Sequence, residues 1–273
     1  MRIANRKAAL AAGLILGVAA ASAAGATPPA ASSVQPSIPE MPTLRHVDVA
    51  DGLPSSNINS LARDPGGYLW LATTDGLARY DGIGMRVWRH VPDDPESLPG
   101  NYLTVLHVAP DGRVWVAPEG RGLSVLNPAA GDGFRHYRSA THPAMGSDEV
   151  WAIASQGGAL WFGTFGGGLH RLDADGGITR HVSRDGDPRS LPSDIVLSLN
   201  VDAHGDLWIG TTARLARWTG EGFERVPLPG ASPAPTVFSA TPVGDSLWVG
   251  ASTGLFELTG DHRWRQPTWS PMF

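Results

Sequence analysis

The chain has 273 residues, with 21 basic and 26 acidic side chains, ten tryptophans and no cysteine. Three of the basic residues lie in the first 26 positions, so the remainder carries 18 basic against 26 acidic residues, a net charge of −8. This acidic balance argues against nucleic acid as a partner, and the lack of cysteine excludes disulfides and catalytic thiols.

The N-terminus has the pattern of a secretory signal peptide. Arg2, Arg6 and Lys7 precede an apolar stretch over 8–21, and a small-residue cleavage pattern follows at 21–23 and again at 24–26. The sequence therefore predicts a signal peptide over residues 1–26 and export to the periplasm. Retention as a membrane anchor is the less favoured alternative, because the apolar stretch is short for a bilayer span.

A proline-, alanine- and serine-rich segment follows at residues 27–42. Such a composition cannot bury a core, so we expect a flexible linker. The rest of the chain, 43–273, holds a repeat. Its five copies align on a dipeptide whose tryptophans are spaced 45, 46, 47 and 40 residues apart: Leu69-Trp70, Val114-Trp115, Leu160-Trp161, Leu207-Trp208 and Leu247-Trp248.

Each copy contains short apolar bursts separated by turn residues, as in the first copy at 58–62, 68–73, 77–80 and 85–90. We interpret these bursts as four strands per copy. Four-stranded units at a period of about 45 residues predict an all-β fold, a β-propeller of about five four-stranded blades. The recurring tryptophan is expected to fill the space between blades rather than to stack on ligands.

A glycine before the third strand predicts a hairpin turn with positive φ in four copies, namely Gly76, Gly122, Gly168 and Gly254. Arg214 takes its place in the fourth copy. The segments LWLATTDGLARY, LWFGTFGGGLHR and LWVGASTGLFEL, with SLP-containing loops at 94–101 and 187–194, resemble the two-component regulator propeller family over about residues 44–260.

The resemblance implies a periplasmic sensor. In that family such propellers usually occur in tandem, followed by an immunoglobulin-like domain, a membrane helix and a histidine kinase or diguanylate cyclase. None of those parts is present in this sequence. We therefore expect a ligand-sensing module without its own output domain, without enzymatic activity and without a cofactor.

The ring of blades is predicted to be incomplete. Residues 43–47 resemble an outermost strand without inner strands before it, whereas the fifth copy has its own outer strand at 262–265. Either five blades close imperfectly or the chain is the first part of a larger ring, and the second alternative is favoured. An incomplete ring predicts instability or self-association.

No catalytic or metal site is predicted. The segment GASTG at 250–254 fits a nucleophile pattern, but turn residues stand there in the other copies and no helix follows. The nine histidines show no metal-binding spacing, and His90, His136 and His181 share an outer-strand position expected to be solvated. A carboxylate pair assembled from different blades stays open, so a secreted propeller hydrolase or lyase acting on carbohydrate is the alternative function.

Strand parity predicts where a ligand would bind. The loop before the first strand and the hairpin between the second and third strands should share one face of the propeller. The candidate ligand-binding residues on that face are Asn57, Thr74, Asn101, Arg121, Asp148, Phe165, Asp194 and Arg214. The expected partner is a small molecule or glycan fragment, with self-association or a membrane receptor partner also open.

Overall fold

The computed structural model describes residues 45–230, 233–261 and 263–267. The predicted signal peptide and linker lie outside the described residues. Residues from His46 onward form one compact unit, built from twenty strands in five four-stranded antiparallel sheets. The predicted all-β propeller is confirmed in architecture, with one sheet for each copy of the repeat.

Each blade uses four consecutive strands in chain order. Blade 1 has β1 (Ile58–Arg63), β2 (Leu69–Thr73), β3 (Gly76–Tyr80) and β4 (Met85–Trp88). Blade 2 has β5 (Leu103–Val108), β6 (Val114–Pro118), β7 (Leu123–Leu126) and β8 (Phe134–Tyr137). Blade 3 has β9 (Val150–Gln156), β10 (Ala159–Thr164), β11 (Gly168–Leu172) and β12 (Ile178–His181). Blade 4 has β13 (Val196–Val201), β14 (Leu207–Thr211), β15 (Leu215–Trp218) and β16 (Phe223–Val226). Blade 5 has β17 (Val237–Val243), β18 (Ser246–Ala251), β19 (Gly254–Leu258) and β20 (Trp264–Arg265).

Neighbouring blades pack through opposite faces of their sheets. The innermost strands follow one another, β5 on β1, β9 on β5, β13 on β9 and β17 on β13. In each contact, the face that carries the repeat tryptophan packs on the opposite face of the next blade, as Trp161 does against Leu199 and Ile209. Burial of both faces requires a neighbour, which is why the pattern recurs along the chain.

The tryptophan stripe is part of the core. Trp70, Trp115, Trp161 and Trp208 are at most 6% exposed. Trp248 of blade 5 is only half-buried, because no further blade covers that face within the described residues. The prediction that these rings fill the space between blades is therefore confirmed for the four blades that have a following neighbour.

The first blade also has an open face. Leu61 is 64% exposed, whereas Leu106, Ile153 and Leu199 occupy the matching register and are 5–7% exposed. Among the described residues, β17 makes no packing contact with β1 comparable to those between successive blades. The five blades therefore form an arc whose first and last sheets each have one incompletely covered face.

The segment before blade 1 differs from the prediction of an outer strand at residues 43–47. Residues 45–47 form no strand, and 43–44 lie outside the described residues. A 3-10 helix follows at Val49–Asp51, capped by Asp48. Leu53 then packs on Leu71 and Ala78, on the sheet face of blade 1 that no other described blade covers. The segment is thus held by a local capping box, in place of the backbone hydrogen bonds that an outer strand would make with its neighbour. The outer strand of the fifth copy is present as β20, which pairs with β19.

Two of the three histidines expected to be solvated have structural roles. His136 bonds Ser124 Oγ at 2.8 Å and Pro95 O at 3.1 Å. His181 stacks on Trp161 with ring centroids 5.6 Å apart, and burial lowers its pKa. His90 is exposed as expected, and its Nδ1 lies 2.7 Å from Leu98 O. Within the described part of the chain, no helix has the length and apolarity needed to span a membrane.

Candidate functional site

One end of every blade gathers the two loops that strand parity predicts to lie together. The hairpin between the second and third strands donates a backbone hydrogen bond to the loop that leads into the first strand of the same blade. The five bonds are Thr74 N to Asn57 O, Glu119 N to Tyr102 O, Phe165 N to Glu149 O, Thr212 N to Ile195 O and Ser252 N to Thr236 O, at 2.9–3.3 Å. We call this surface the hairpin face.

The hairpin glycines connect successive blades. Gly76, Gly122 and Gly168 have positive φ, and each N–H donates to the carbonyl of Asn101, Asp148 or Asp194 in the next blade at 2.8–2.9 Å. A Cβ on these glycines would lie 2.2–2.5 Å from a backbone oxygen. Glycine is therefore required by both conformation and space.

Three predicted ligand residues take part in these blade connections through their side chains. Asn101 Oδ1 accepts from His90 N at 2.7 Å, and Asp194 Oδ1 accepts from Ser183 N at 2.6 Å. Asp148 accepts from Ser139 N at 2.7 Å and from Ser139 Oγ at 2.9 Å. Each side chain holds the segment after the outer strand of the preceding blade. Ligand binding by them stays a prediction, with much of their acceptor capacity already used.

The fourth copy shows what replaces the glycine. Arg214 N donates to Thr211 Oγ1 at 3.1 Å within its own hairpin, instead of reaching the next blade. On the hairpin face, blades 4 and 5 are instead connected by Thr236 Oγ1, which donates to Thr212 O at 3.0 Å. Arg214 is half-buried. The change of residue therefore removes one backbone connection and places a cation at this hairpin.

The side chains of the remaining candidates differ in exposure and in their protein contacts. Thr74 Oγ1 lies 2.7 Å from Ser55 Oγ, so its hydroxyl has a protein partner. Asn57 and Arg121 are exposed. Arg121 is the cationic candidate nearest to blade 3 in the chain. Its hairpin lies against the loop that leads into blade 3, since a methyl group added to Gly120 would be 3.1 Å from Glu149 Oε1.

Phe165 belongs to an exposed aromatic pair. Its ring centroid lies 5.2 Å from that of Trp151, and the two side chains are 47% and 45% exposed. Trp151 stands one residue into β9, at the register irregularity of this strand. Trp151 was not predicted from the sequence, because only the tryptophans that recur in every copy were considered. The available signal was a tryptophan outside the repeat position, directly after the Asp-Glu-Val segment at 148–150.

The hairpin face combines exposed aromatic rings with an exposed cationic side chain. Within residues 45–230, 233–261 and 263–267, no three His, Asp or Glu side chains lie close enough together to hold a metal ion. Ser252, from the nucleophile-like segment, lies in the turn between β18 and β19. The hairpin face therefore offers stacking surface at Trp151 and Phe165 and a cation at Arg121.

Comparisons with known proteins address the repeat directly. The two component regulator propeller family matches residues 52–75 and 190–213. Over 48 residues the chain is 38% identical to histidine kinase P4 of Formosa agariphila, which is 18% of this chain and 4% of that protein. The matched residues include the loop and the inner strands of blades 1 and 4.

Solved structures share the fold. The extracellular domain of a putative hybrid two component system from B. thetaiotaomicron superposes with a TM-score of 0.57 at 21% identity, over 83% of this chain and 36% of that one. A virginiamycin B lyase from Staphylococcus aureus superposes with a TM-score of 0.60 at 15% identity, over 79% of this chain and 71% of that one. The chain thus spans about a third of the first structure's length. The chain carries two component regulator propeller repeats, and the family resemblance that its sequence motifs suggest is confirmed.

Proposed function

We propose that this chain is a sensory propeller that binds a small molecule or glycan fragment on its hairpin face. The observation that carries the proposal is the exposed pair of Trp151 and Phe165. Large aromatic side chains are usually buried, and rings that stay exposed beside polar groups provide contact area for a ligand. Neither ring belongs to the buried clusters between blades 2 and 3 or between blades 3 and 4.

The surroundings of the pair supply polar contacts. Glu149 precedes β9 and contacts the blade 2 hairpin at Gly120, next to Arg121. A ligand lying across Trp151 and Phe165 would thus have a carboxylate and a guanidinium within the same hairpin region. Rings for apolar contact and a few charged groups for orientation are the usual composition of a small-molecule site.

The proposed output is signalling. Two repeats match a family described as two component regulator propellers, and the matched relative in Formosa agariphila is named a histidine kinase. We infer that binding on the hairpin face is passed to a kinase or cyclase output carried by another segment or partner. Periplasmic location, after removal of the signal peptide, is part of the same proposal.

The enzymatic alternative has weaker support. Lyases are among the solved structures with this fold, but at such low identity the likeness concerns the fold alone. The carboxylates of Asp148 and Asp194 on the hairpin face accept hydrogen bonds from backbone N–H groups, which gives them a structural role. We therefore propose a propeller without catalytic activity.

Binding of oligosaccharide fragments to the purified, exported chain tests the proposal. Isothermal titration with short neutral and uronate-containing oligosaccharides should detect binding, and Trp151→Ala should weaken it at least about tenfold, equivalent to ~1.4 kcal/mol. Phe238→Ala is the matched control, because Phe238 is also an exposed aromatic near the start of an innermost strand, at 58% exposure in blade 5.

Two results would overturn the assignment. If no fragment binds, the aromatic pair is not a glycan site. If a fragment binds but Trp151→Ala leaves its affinity unchanged, the ligand occupies another surface and the hairpin face has no sensing role.

A further inference from the structure

Within the described residues, two of the four buried repeat tryptophans lack the hydrogen-bond acceptor that the indole N–H of the other two has. Trp70 Nε1 donates to Asp64 Oδ2 at 2.8 Å, and Trp208 Nε1 donates to Asp202 Oδ2 at 2.8 Å. In both blades the aspartate stands six residues before the tryptophan. In blade 2 this position is Ala109. Trp115 is 2% exposed, and its Nε1 has no hydrogen-bond partner in the described structure.

The aspartate in blade 4 shows that this position suits a carboxylate. Burial alone would raise the pKa of Asp202, but hydrogen bonds from Trp208 Nε1 and from the N–H groups of Asp206 and His204 outweigh it and hold the pKa below its usual value. A buried N–H without an acceptor costs free energy. In the part of the chain that the structure describes, the same indole donor in blade 2 therefore lacks an acceptor, which a carboxylate oxygen would supply as it does in blades 1 and 4.

A cleft lies beside Ala109. Ala109 and Trp115 line a cleft of about 270 Å³ between blades 2 and 3. Turns at 110–113, 155–159 and 172–176 surround it, at the ends of the strands opposite the hairpin face. The volume is slightly below the ~300–1,000 Å³ of drug-sized sites, so it suits a smaller molecule.

Positive charge is available at the same cleft. Arg135 lies over the ring of Tyr137, 5.1 Å from its centroid, and makes no ion pair within the described residues. Arg86 occupies the matching register in blade 1 and is paired with Asp132. Arg113, the second guanidinium, is neutralised by Asp111 at 2.7 Å.

The acidic side chains at the rim are already engaged. Asp173 pairs with Arg171 at 2.8 Å, and Asp175 Oδ1 accepts from Gly177 N at 2.9 Å. The charge of Asp173 is therefore balanced, whereas Asp175 keeps its negative charge at the rim, and Arg135 is the cation that remains to attract an anion.

We propose that the cleft between blades 2 and 3 binds a small carboxylate-bearing molecule, whose oxygen takes the place of the missing aspartate at Trp115 Nε1 and whose charge is balanced by Arg135. This site is separate from the hairpin face and does not depend on the proposed sensing role. Trp161 Nε1 is also without a partner, but that ring packs against His181 and Trp218 and does not line the cleft.

Indole N–H resonances of the ¹⁵N-labelled full chain test the proposal. Trp115→Phe identifies the Trp115 signal by its loss. Acetate and glucuronate should shift that signal with saturation, whereas the neutral counterparts acetamide and glucose should not. Equal shifts with the neutral compounds, or no shift with either carboxylate, would overturn the proposal. In the latter case the cleft holds water only.

Ala109→Asp is the decisive variant, because it supplies the carboxylate from within the chain as in blades 1 and 4. The Trp115 signal should then move without ligand, and affinity for glucuronate should fall at least tenfold. Arg135→Gln should lower affinity severalfold while the fold stays intact. Trp208→Phe, which removes an N–H already bonded to Asp202, should leave binding unchanged. Unaltered glucuronate affinity in Ala109→Asp would refute the site.

Discussion

Replacement of Trp161 by alanine tests the central claim about blade packing. Trp161 lies in the middle of β10 and is 1% exposed. Its ring contacts those of His181 and Trp218, with centroids 5.6 and 5.2 Å away, and it belongs to the core between blades 3 and 4 together with Leu199. Alanine would leave a cavity at the centre of this contact.

The expected loss is about 3–5 kcal/mol of unfolding free energy, the range for truncating a buried large aromatic side chain. Because Trp161 Nε1 has no hydrogen-bond partner in the described residues, the whole cost should come from packing. Trp161→Phe should therefore recover much of the stability. Trp208→Phe should cost about 1.5 kcal/mol more than Trp161→Phe, since it also removes the bond to Asp202.

Urea unfolding followed by circular dichroism measures these differences, provided that the slope of the transition is unchanged. Trp151→Ala is the comparison, because Trp151 is 45% exposed and stacks on Phe165, so its loss should cost clearly less than that of Trp161, about 1 kcal/mol. A cost below about 1 kcal/mol for Trp161→Ala would refute the packing role and favour a ligand-stacking role for the tryptophan stripe.

Gly168→Ala should destabilise by more than about 1 kcal/mol, since φ is +87° and the new Cβ would lie 2.3 Å from His181 O. Gly176→Ala, with φ of +91° in open space, should cost less in the same urea melts, and equal costs would contradict the close-approach argument. Burial lowers the pKa of His170 to about 4 from 6.5, so the unfolded chain binds a proton first as pH falls. Protonation of His170 should therefore lower stability between pH 6.5 and 4, by up to about 3 kcal/mol. Urea melts at pH 7 and 4.5 should show a larger loss for wild type than for His170→Phe, in which His107, whose pKa burial also lowers to about 4, still titrates. Equal losses in the two chains would contradict the role of His170. Leu61→Glu should reduce concentration-dependent association in sedimentation velocity, because Leu61 is 64% exposed on an uncovered sheet face. A wild-type chain that stays monomeric at all concentrations would contradict that reasoning.

Local pattern was sufficient for the blades. Strand positions, hairpin turns and the tryptophan of each blade follow from alternation and turn residues within about 45 positions, and the structure has them where the sequence predicts them. The shared face of the two loops also followed from strand parity alone. Residues 45–47 were the exception, because their likeness to an outer strand said nothing about a partner strand.

The sequence pattern does not predict the contacts between blades. Asn101, Asp148 and Asp194 look like ligand residues in the sequence, but they bind backbone N–H groups after the outer strands of preceding blades. The proximity of Trp151 to Phe165 depends on how one strand end meets one hairpin.

The sequence by itself determined the number of blades, their strands and their apolar faces, because each is set by residues close together in the chain. Only the tertiary structure decided which polar groups form hydrogen bonds between blades and which have no partner. The indole N–H of Trp115, close to Ala109, has no partner within the described residues. Hydrogen-bond partners at such contacts come from segments far apart in the sequence, and packing of one sheet on the next fixes their distance and direction.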